Sequence, residues 1–501
     1  MSSTAQIEQG LPVLQELPSL QQQPISTVPI ITDNAIPEEY NLKDKSAAVY
    51  RTQSEALTAS AYASGFIQKD EPKGTILTAS ASLLKSGVGT GILFFPSLFK
   101  SCGIALSIIF CVITSVFCYF CWSLISKMMR FQESTDRNDP NNQHLTLENC
   151  GGLFYGPKFK KLLQVCTYIY SYSACFGYAI FIYKAVNPTF PNHYHTMLIM
   201  MAIFLPLSMY KKIHKLSFFT YFALTATTVT LLTIVVKSCY VIHNTDVHYS
   251  SLTQFDFTQI PLSFGVFTFA YDCNGVYTEV HASMKDKRQF DTVLKIYLSI
   301  FTLIGVLVGT MGYIAFGEQT QAAIFTNIGE MSGYGTALSF LYSFAELASM
   351  LLYIFCVVKF FDNLVGGFVV KNSTNNKFVS FLTDFVVRAL IFLSFAFLAL
   401  YVTQMSDFFN IMGCILCSFL TYLCPLILYI KAKPKNDKLL KQVENGNQDV
   451  EKNVKATPSK IDFFSTTRIV TAIAIICMLF GLLGGISGLI STIIQIKEKG
   501  E

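Results

Sequence analysis

Two short runs in this chain combine glycines with groups able to hold charge. One is Ser86-Gly87-Val88-Gly89-Thr90-Gly91, flanked by Lys85 and Pro96; the other is Tyr271-Asp272-Cys273-Asn274-Gly275. Both lie within long apolar stretches. A glycine in a helix interior costs about 1 kcal/mol, and in lipid every backbone N–H and C=O needs a partner. Breaks at such points need a reason. Unwinding the first run would expose the N–H groups of Val88 to Gly91 at the start of a half-helix, where they and the helix dipole suit a carboxylate. The freed carbonyls, with Asp272 across the gap, suit an ammonium. An anion trap beside a cation trap makes a zwitterion the natural ligand. The glycines let it approach the backbone. The expected contact positions are Ser86, Gly87, Val88, Gly89, Thr90, Gly91, Tyr271, Asp272, Asn274 and Gly275.

Ionisable groups inside apolar stretches come next. Such a group is costly and is a functional hypothesis by default. Asp272 is the first candidate to carry a proton across, and Glu346 the second. Each has a plainer role, as a cap for the break or as a carboxyl bonded to a neighbouring helix. Lys85 is a third candidate; it can instead snorkel or cap carbonyls of the first half-helix. Lys295 and Arg388 read as anchors at helix ends. The seven His (144, 193, 195, 214, 243, 248, 281) form no metal-ligand spacing, and no nucleophile has an obvious base. Neither a metal site nor an enzyme is expected. The 14 Cys lack paired CxxC spacing and read as packed thiols.

The elements that must position these residues follow from composition. Of 501 residues, 52% are hydrophobic and 14% charged, against about 25% charged in soluble chains. That excludes a disordered chain, a disulfide-framed secreted domain and an ordinary soluble enzyme, and leaves an all-α integral membrane protein. The net charge of +5 is too small to argue for nucleic acid. Apolar stretches lie near 76–100, 103–127, 162–184, 196–210, 216–238, 259–281, 293–316, 336–358, 386–403, 406–430 and 468–494. Eleven spans are expected, and the two runs fall in the first and sixth. That is the spacing of two inverted five-helix repeats with helices 1 and 6 broken, plus one extra helix. Close packing by small residues explains a lone glycine pair well enough; matched breaks favour a central site.

Residues 1–74 read as a disordered cytosolic tail, 75–430 as the core carrying helices 1–10, 431–467 as a cytosolic loop, and 468–501 as helix 11 with a short end. With the N-terminus in the cytosol, 28 Lys and Arg fall near cytosolic ends and 5 near the opposite ends, as the positive-inside rule requires. A sequon at Asn372-Ser373-Thr374 then faces the cytosol and is expected to be unused.

The run from Ser82 to Leu93, SLLKSGVGTGIL, with Pro96 and Gly103-Ile104, resembles the first helix of the amino acid/auxin permease family, in its proton-coupled and vacuolar branch. Phe269-Ala270-Tyr271-Asp272, then Gly275-Val276 and Met284-Lys285-Asp286, resembles that branch's sixth helix. Gly312-Tyr313 and Phe316-Gly317 match the end of its seventh. The likeness covers about residues 75–430. It implies transport of small amino acids by alternating access, with Lys85 to Gly91 as the carboxylate-binding break. Asp272 stands where the family often has Glu. Ser82 replaces a histidine found in some animal members, and Glu279 and His281 replace a Pro-x-Glu. A sodium-coupled relative would need oxygen ligands from helices one and eight, which Ser343 and Ser349 could supply. The expectation is a symporter of neutral amino acids driven by a proton, or by sodium, with no other cofactor. Its partners are the substrate and the bilayer. It would sit in the plasma membrane or a vacuolar or lysosomal membrane. The alternative is an amino-acid sensor that signals through its cytosolic segments.

Overall fold

Thr75 opens the first helix. Its hydroxyl accepts the Thr78 N–H at 3.3 Å, and the Thr78 hydroxyl accepts the Thr75 N–H at 2.9 Å, a reciprocal capping box. The structure, a computed structural model, describes residues 74–135, 146–186, 205–206, 217–245, 252–331, 334–369, 377–401, 404–444, 462 and 464–500. Helix α1 (Ile76–Gly87) leads through a 3-10 turn (Thr90–Phe94) into α2 (Phe95–Cys102). Pro96 starts α2, and Gly103, at φ 89°, stops it. A side chain at Gly103 would strike the Gln254 backbone, so glycine is required there twice over.

The chain continues as α3 (Ile104–Thr135), α4 (Leu147–Tyr155), α5 (Pro157–Val186), α6 (Ser217–Asn244), α7 (Ile260–Tyr271), α8 (Asn274–Ser283) and α9 (Phe290–Phe316). Then come α10 (Ile324–Met331), α11 (Tyr334–Val369) and α12 (Lys377–Tyr401). Helix α13 (Met405–Met412) passes through a π-helical stretch (Gly413–Leu423) into α14 (Cys424–Glu444), and α15 is Arg468–Gly500. No strand occurs among the described residues, where Gly74 and Met284 form an isolated bridge. Every expected span has its helix except 196–210, most of which lies outside the described residues, as do the tail through residue 73 and the sequon. Six of the described helices are long and apolar enough to cross a membrane alone, and the pair around the first break, bent by 51°, makes a seventh. Large apolar side chains stay exposed along α15 (Ile469, Leu483, Ile490) and α6 (Leu232, Val236). Faces this apolar belong against lipid.

Both breaks appear where the glycines and the mid-span acid lie. Helix α1 packs against α8, and the 3-10 turn packs against α7. The two broken helices therefore run antiparallel, each half beside the opposite half of the other. Helix α9 lies along α1 and α2, and α5 along α11, so these helices wall the breaks.

Two expectations are corrected. The segment 431–467 does not begin as a loop, because α14 continues to Glu444. Ala432, Asn436 and Leu439 recur at helical spacing and are buried. Asn436 donates to the Phe464 carbonyl at 3.0 Å and accepts the Phe464 N–H at 3.2 Å. Arg388 is not an end anchor. Its helix starts at Lys377, nine residues before the expected span, so Arg388 sits mid-helix and is 1% exposed.

Glycines also draw the helices together. A Cβ at Gly413 would strike the Gly265 carbonyl, and one at Gly265 the Asn410 carbonyl. Asn410 clasps the same seam: its Oδ1 accepts the Val266 N–H at 3.2 Å, and its Nδ2 donates to Thr492 on α15. Gly413→Ala is expected to destabilise the protein by about 1–3 kcal/mol or more through overpacking against backbone. Thermal unfolding of the purified variant in detergent checks this; wild-type melting would contradict the seam.

Candidate functional site

At the first break α1 ends at Gly87. The Val88 N–H still reaches the Leu84 carbonyl at 2.7 Å, and the Gly89 N–H turns back to the Gly87 carbonyl at 2.8 Å. The expectation of four free donors is therefore corrected: Val88 and Gly89 are spent within the turn. The helix start at Thr90 leaves the N–H groups of Thr90 and Gly91 without intrahelical acceptors. The Ser86 hydroxyl pairs with the Tyr353 hydroxyl at 3.0 Å.

At the second break the chain is extended at Asp272, and α8 restarts at Asn274. The Asp272 carboxylate caps that restart. Oδ1 accepts the Asn274 N–H at 2.9 Å, and Oδ2 accepts from Asn274 Nδ2 at 3.0 Å. Asn274 Nδ2 also donates to Thr421 Oγ1 at 2.8 Å, which ties the break to the π-helical stretch. The plainer role read for Asp272 is thus present in the geometry, and Asp272 is also among the residues that line the cavity between the breaks.

That cavity has about 330 Å³ of atom-free space, counting the solvent it opens to. Ser86, Gly87, Gly89, Gly91 and Asp272 line it; Val88, Tyr271, Asn274 and Gly275 do not. Val88 is packed in the core, the Tyr271 hydroxyl donates to Thr302 at 3.0 Å, and Gly275 abuts Tyr353. The Thr90 side chain lies outside the described residues. The remaining wall is aromatic and small: Tyr170, Ala174 and Tyr178 from α5, Phe269 and Ala270 from α7, and Tyr353 from α11. The backbone approach at the glycines is narrow. A Cβ at Gly89 would lie 2.9 Å from the Tyr178 ring, and one at Gly91 the same distance from Ala270 Cβ.

Behind the first break, Lys85 Nζ lies 3.7 Å from Glu346 Oε1, with both side chains fully buried, and donates to Thr227 Oγ1 at 3.3 Å. Lys85 neither snorkels nor caps carbonyls. It joins α1, α6 and α11. Neither Glu346 oxygen has a hydrogen-bond partner beyond this ion pair. Ser343 donates to the Ser339 carbonyl at 2.7 Å, whereas the buried Ser349 hydroxyl has no partner. Among the described residues no three His, Cys, Asp or Glu side chains stand close enough together to hold a metal.

Four site residues, Tyr170, Tyr178, Tyr342 and Tyr353, were not read from the sequence, whereas Glu346 and Ser349 were. Tyr170 and Tyr178 lie eight residues apart on one face of α5. On α11, Tyr342, Glu346, Ser349 and Tyr353 repeat at spacings of four, three and four. Such a polar stripe along an apolar helix was the available signal. The pairing of Lys85 with Glu346, 261 positions apart in sequence, and the role of Thr421 had no local signature.

Comparison with known proteins bears on this arrangement. "Vacuolar amino acid transporter 3" of Saccharomyces cerevisiae is 25% identical over 373 residues, covering 72% of this chain and 52% of that protein. The protein of the same name from Schizosaccharomyces pombe is 24% identical over 364 residues, covering 71% and 53%. "Amino acid transporter ANT1" of Arabidopsis thaliana is 22% identical over 364 residues, covering 70% and 83%. The chain spans about half the length of the two yeast relatives. A solved nucleobase-cation-symport-1 family transporter aligns over 85% of this chain and 93% of its own at 13% identity. Its TM-score of 0.46 is too low for the likeness to carry an argument. The sequence profile of the family described as "Transmembrane amino acid transporter protein" matches residues 72–448. A match over most of the chain, with both breaks inside it, means that this chain belongs to that family, a family of transporters and not of enzymes.

Proposed function

We propose that this chain is a secondary active transporter of small neutral amino acids, coupled to a proton moving the same way, working by alternating access about the paired breaks. One observation carries the reading. Gly91, at the helix start that follows the first break, and Asp272 line the same cavity, so a zwitterion can meet a donor set at one end and an acidic residue at the other. Apart from tyrosines, Asp272 is the single ionisable residue in that lining, which favours an uncharged side chain on the substrate. Proton carriage falls to Asp272 first and to Glu346, paired with Lys85, second. The N-terminus is cytosolic on the distribution of Lys and Arg. The membrane is vacuolar or lysosomal, as the yeast relatives' names suggest, or the cell surface. Sodium is the rival coupling ion, and the unpartnered Ser349 hydroxyl on α11 is what favours it.

Purified protein in liposomes, given a labelled amino-acid mixture with an imposed inward proton gradient, tests the proposal. Saturable uptake stimulated by that gradient is expected. Uptake with sodium alone would move coupling to α1 and α11. Specific binding with no uptake under either gradient would replace transport by amino-acid sensing.

A further inference from the structure

Breaking a helix inside lipid frees carbonyls that must find donors. Here tyrosine hydroxyls from other helices reach four carbonyls at the breaks, of which Gly89's also accepts the Ile92 N–H at 3.3 Å. Tyr178 donates to the Ser86 carbonyl at 3.4 Å, Tyr342 to that of Gly89 at 3.0 Å, Tyr297 to that of Tyr271 at 3.1 Å and Tyr170 to that of Asp272 at 3.2 Å. The four divide into two kinds. Tyr297 and Tyr342 do not line the cavity. Tyr170 and Tyr178 do, and the carbonyls they hold belong to Ser86 and Asp272, which also line it. Both sit on α5, about 12 Å apart along its axis, so one helix straps both breaks.

We propose that Tyr170 and Tyr178 are exchangeable placeholders for a substrate's ammonium group. They are positioning residues that keep the Ser86 and Asp272 carbonyls satisfied until a ligand takes them over. The inference rests on the amino-acid reading above. An ammonium brings three donors, and a charged donor makes a bond roughly twice as strong as a phenol does, so it can displace the hydroxyl. Tyr178 has the longest of the four bonds and yields first. Its ring also covers Gly89, where a Cβ would lie 2.9 Å from it. Moving this one side chain therefore frees a carbonyl and opens the backbone at the glycine together. Tyr297 and Tyr342, behind the breaks, stay in place.

The sign of the effect separates this role from a direct contact. Removing a placeholder hydroxyl leaves a buried carbonyl unsatisfied in the ligand-free protein, and binding relieves it. Calorimetric titration of the full chain in detergent with alanine, ethylamine and propionate is the test. Tyr178→Phe and Tyr170→Phe are each expected to bind alanine and ethylamine about fivefold tighter, with propionate unchanged. Tyr297→Phe and Tyr342→Phe are expected to melt lower without tightening alanine. Weaker or unchanged alanine binding in a well-folded Tyr178→Phe overturns the placeholder role. If Tyr178→Phe does not fold, the same result in Tyr170→Phe overturns it. A wild-type protein that binds neither alanine nor ethylamine overturns the amino-acid reading and this inference with it.

Discussion

Asp272→Asn is expected to abolish uptake against a gradient, because under the proposed coupling the proton's descent drives concentration and the variant has no group at this position to carry it. Exchange of substrate across the membrane is expected to survive. The reasoning separates two duties of one carboxylate. As a cap, Asp272 accepts the Asn274 N–H at 2.9 Å, and an asparagine oxygen can accept the same bond. Asn274 loses its second contact with residue 272 but keeps Thr421, so α8 still starts where it should. As a charge, Asp272 can bind and release a proton, and asparagine cannot. Under the proposed proton coupling, wild-type uptake is expected to rise as the outside is acidified and the variant's to be flat with pH. Uptake measured across a series of external pH values, beside counterflow of labelled substrate, checks both halves. A variant with the wild-type pH profile would remove Asp272 from coupling and leave Glu346 as the carrier.

Lys85→Met is expected to cost about 3–5 kcal/mol of stability, because it leaves the Glu346 charge buried without its partner. Glu346→Leu leaves the Lys85 ammonium in the same position and is expected to be as damaging. The double variant Lys85→Met/Glu346→Leu should recover most of the loss, since replacing a whole buried pair by apolar groups is often neutral. The two groups lie 3.7 Å apart with no exposure on either side, and only Thr227 adds a further hydrogen bond. Melting of the four proteins in detergent gives the coupling directly, as the departure of the double variant from the sum of the singles. Additive losses would mean that the pair does not act as a unit. If the double variant folds and still concentrates substrate with a proton gradient, the pair is structural, and coupling rests with Asp272 alone.

The sequence made the breaks legible because each is local. Gly87, Gly89 and Gly91 crowd one helical turn and a half, and Asp272 interrupts an apolar run. It could not say which donors remained after the turn closed on itself, since that depends on Gly89 folding back to Gly87. The tyrosine caps were hidden for another reason. A buried tyrosine reads as a large apolar residue until its hydroxyl is seen to have a carbonyl beside it. The extension of α14 was misread because Lys431, Lys433, Lys435 and Lys438 outweigh Ala432, Asn436 and Leu439 in any average over the window. Periodicity held the signal, and mean polarity concealed it. Arg388 was misplaced by a boundary error alone. A helix beginning at Lys377 moves the same residue from the rim to the middle.

The seam at Gly265 and Gly413 has a mechanical meaning. With backbone against backbone, α7 and the π-helical stretch have no compressible layer between them, and the Asn410 clasp extends the block to α15. Half of the sixth span is thus a fixed jaw. Its other half, α8, is joined to it through the extended residue Asp272 and is held to other neighbours, by Asn274 on Thr421 and by the Tyr277 hydroxyl on the Trp122 carbonyl, so any bend of this span would fall at the acid itself.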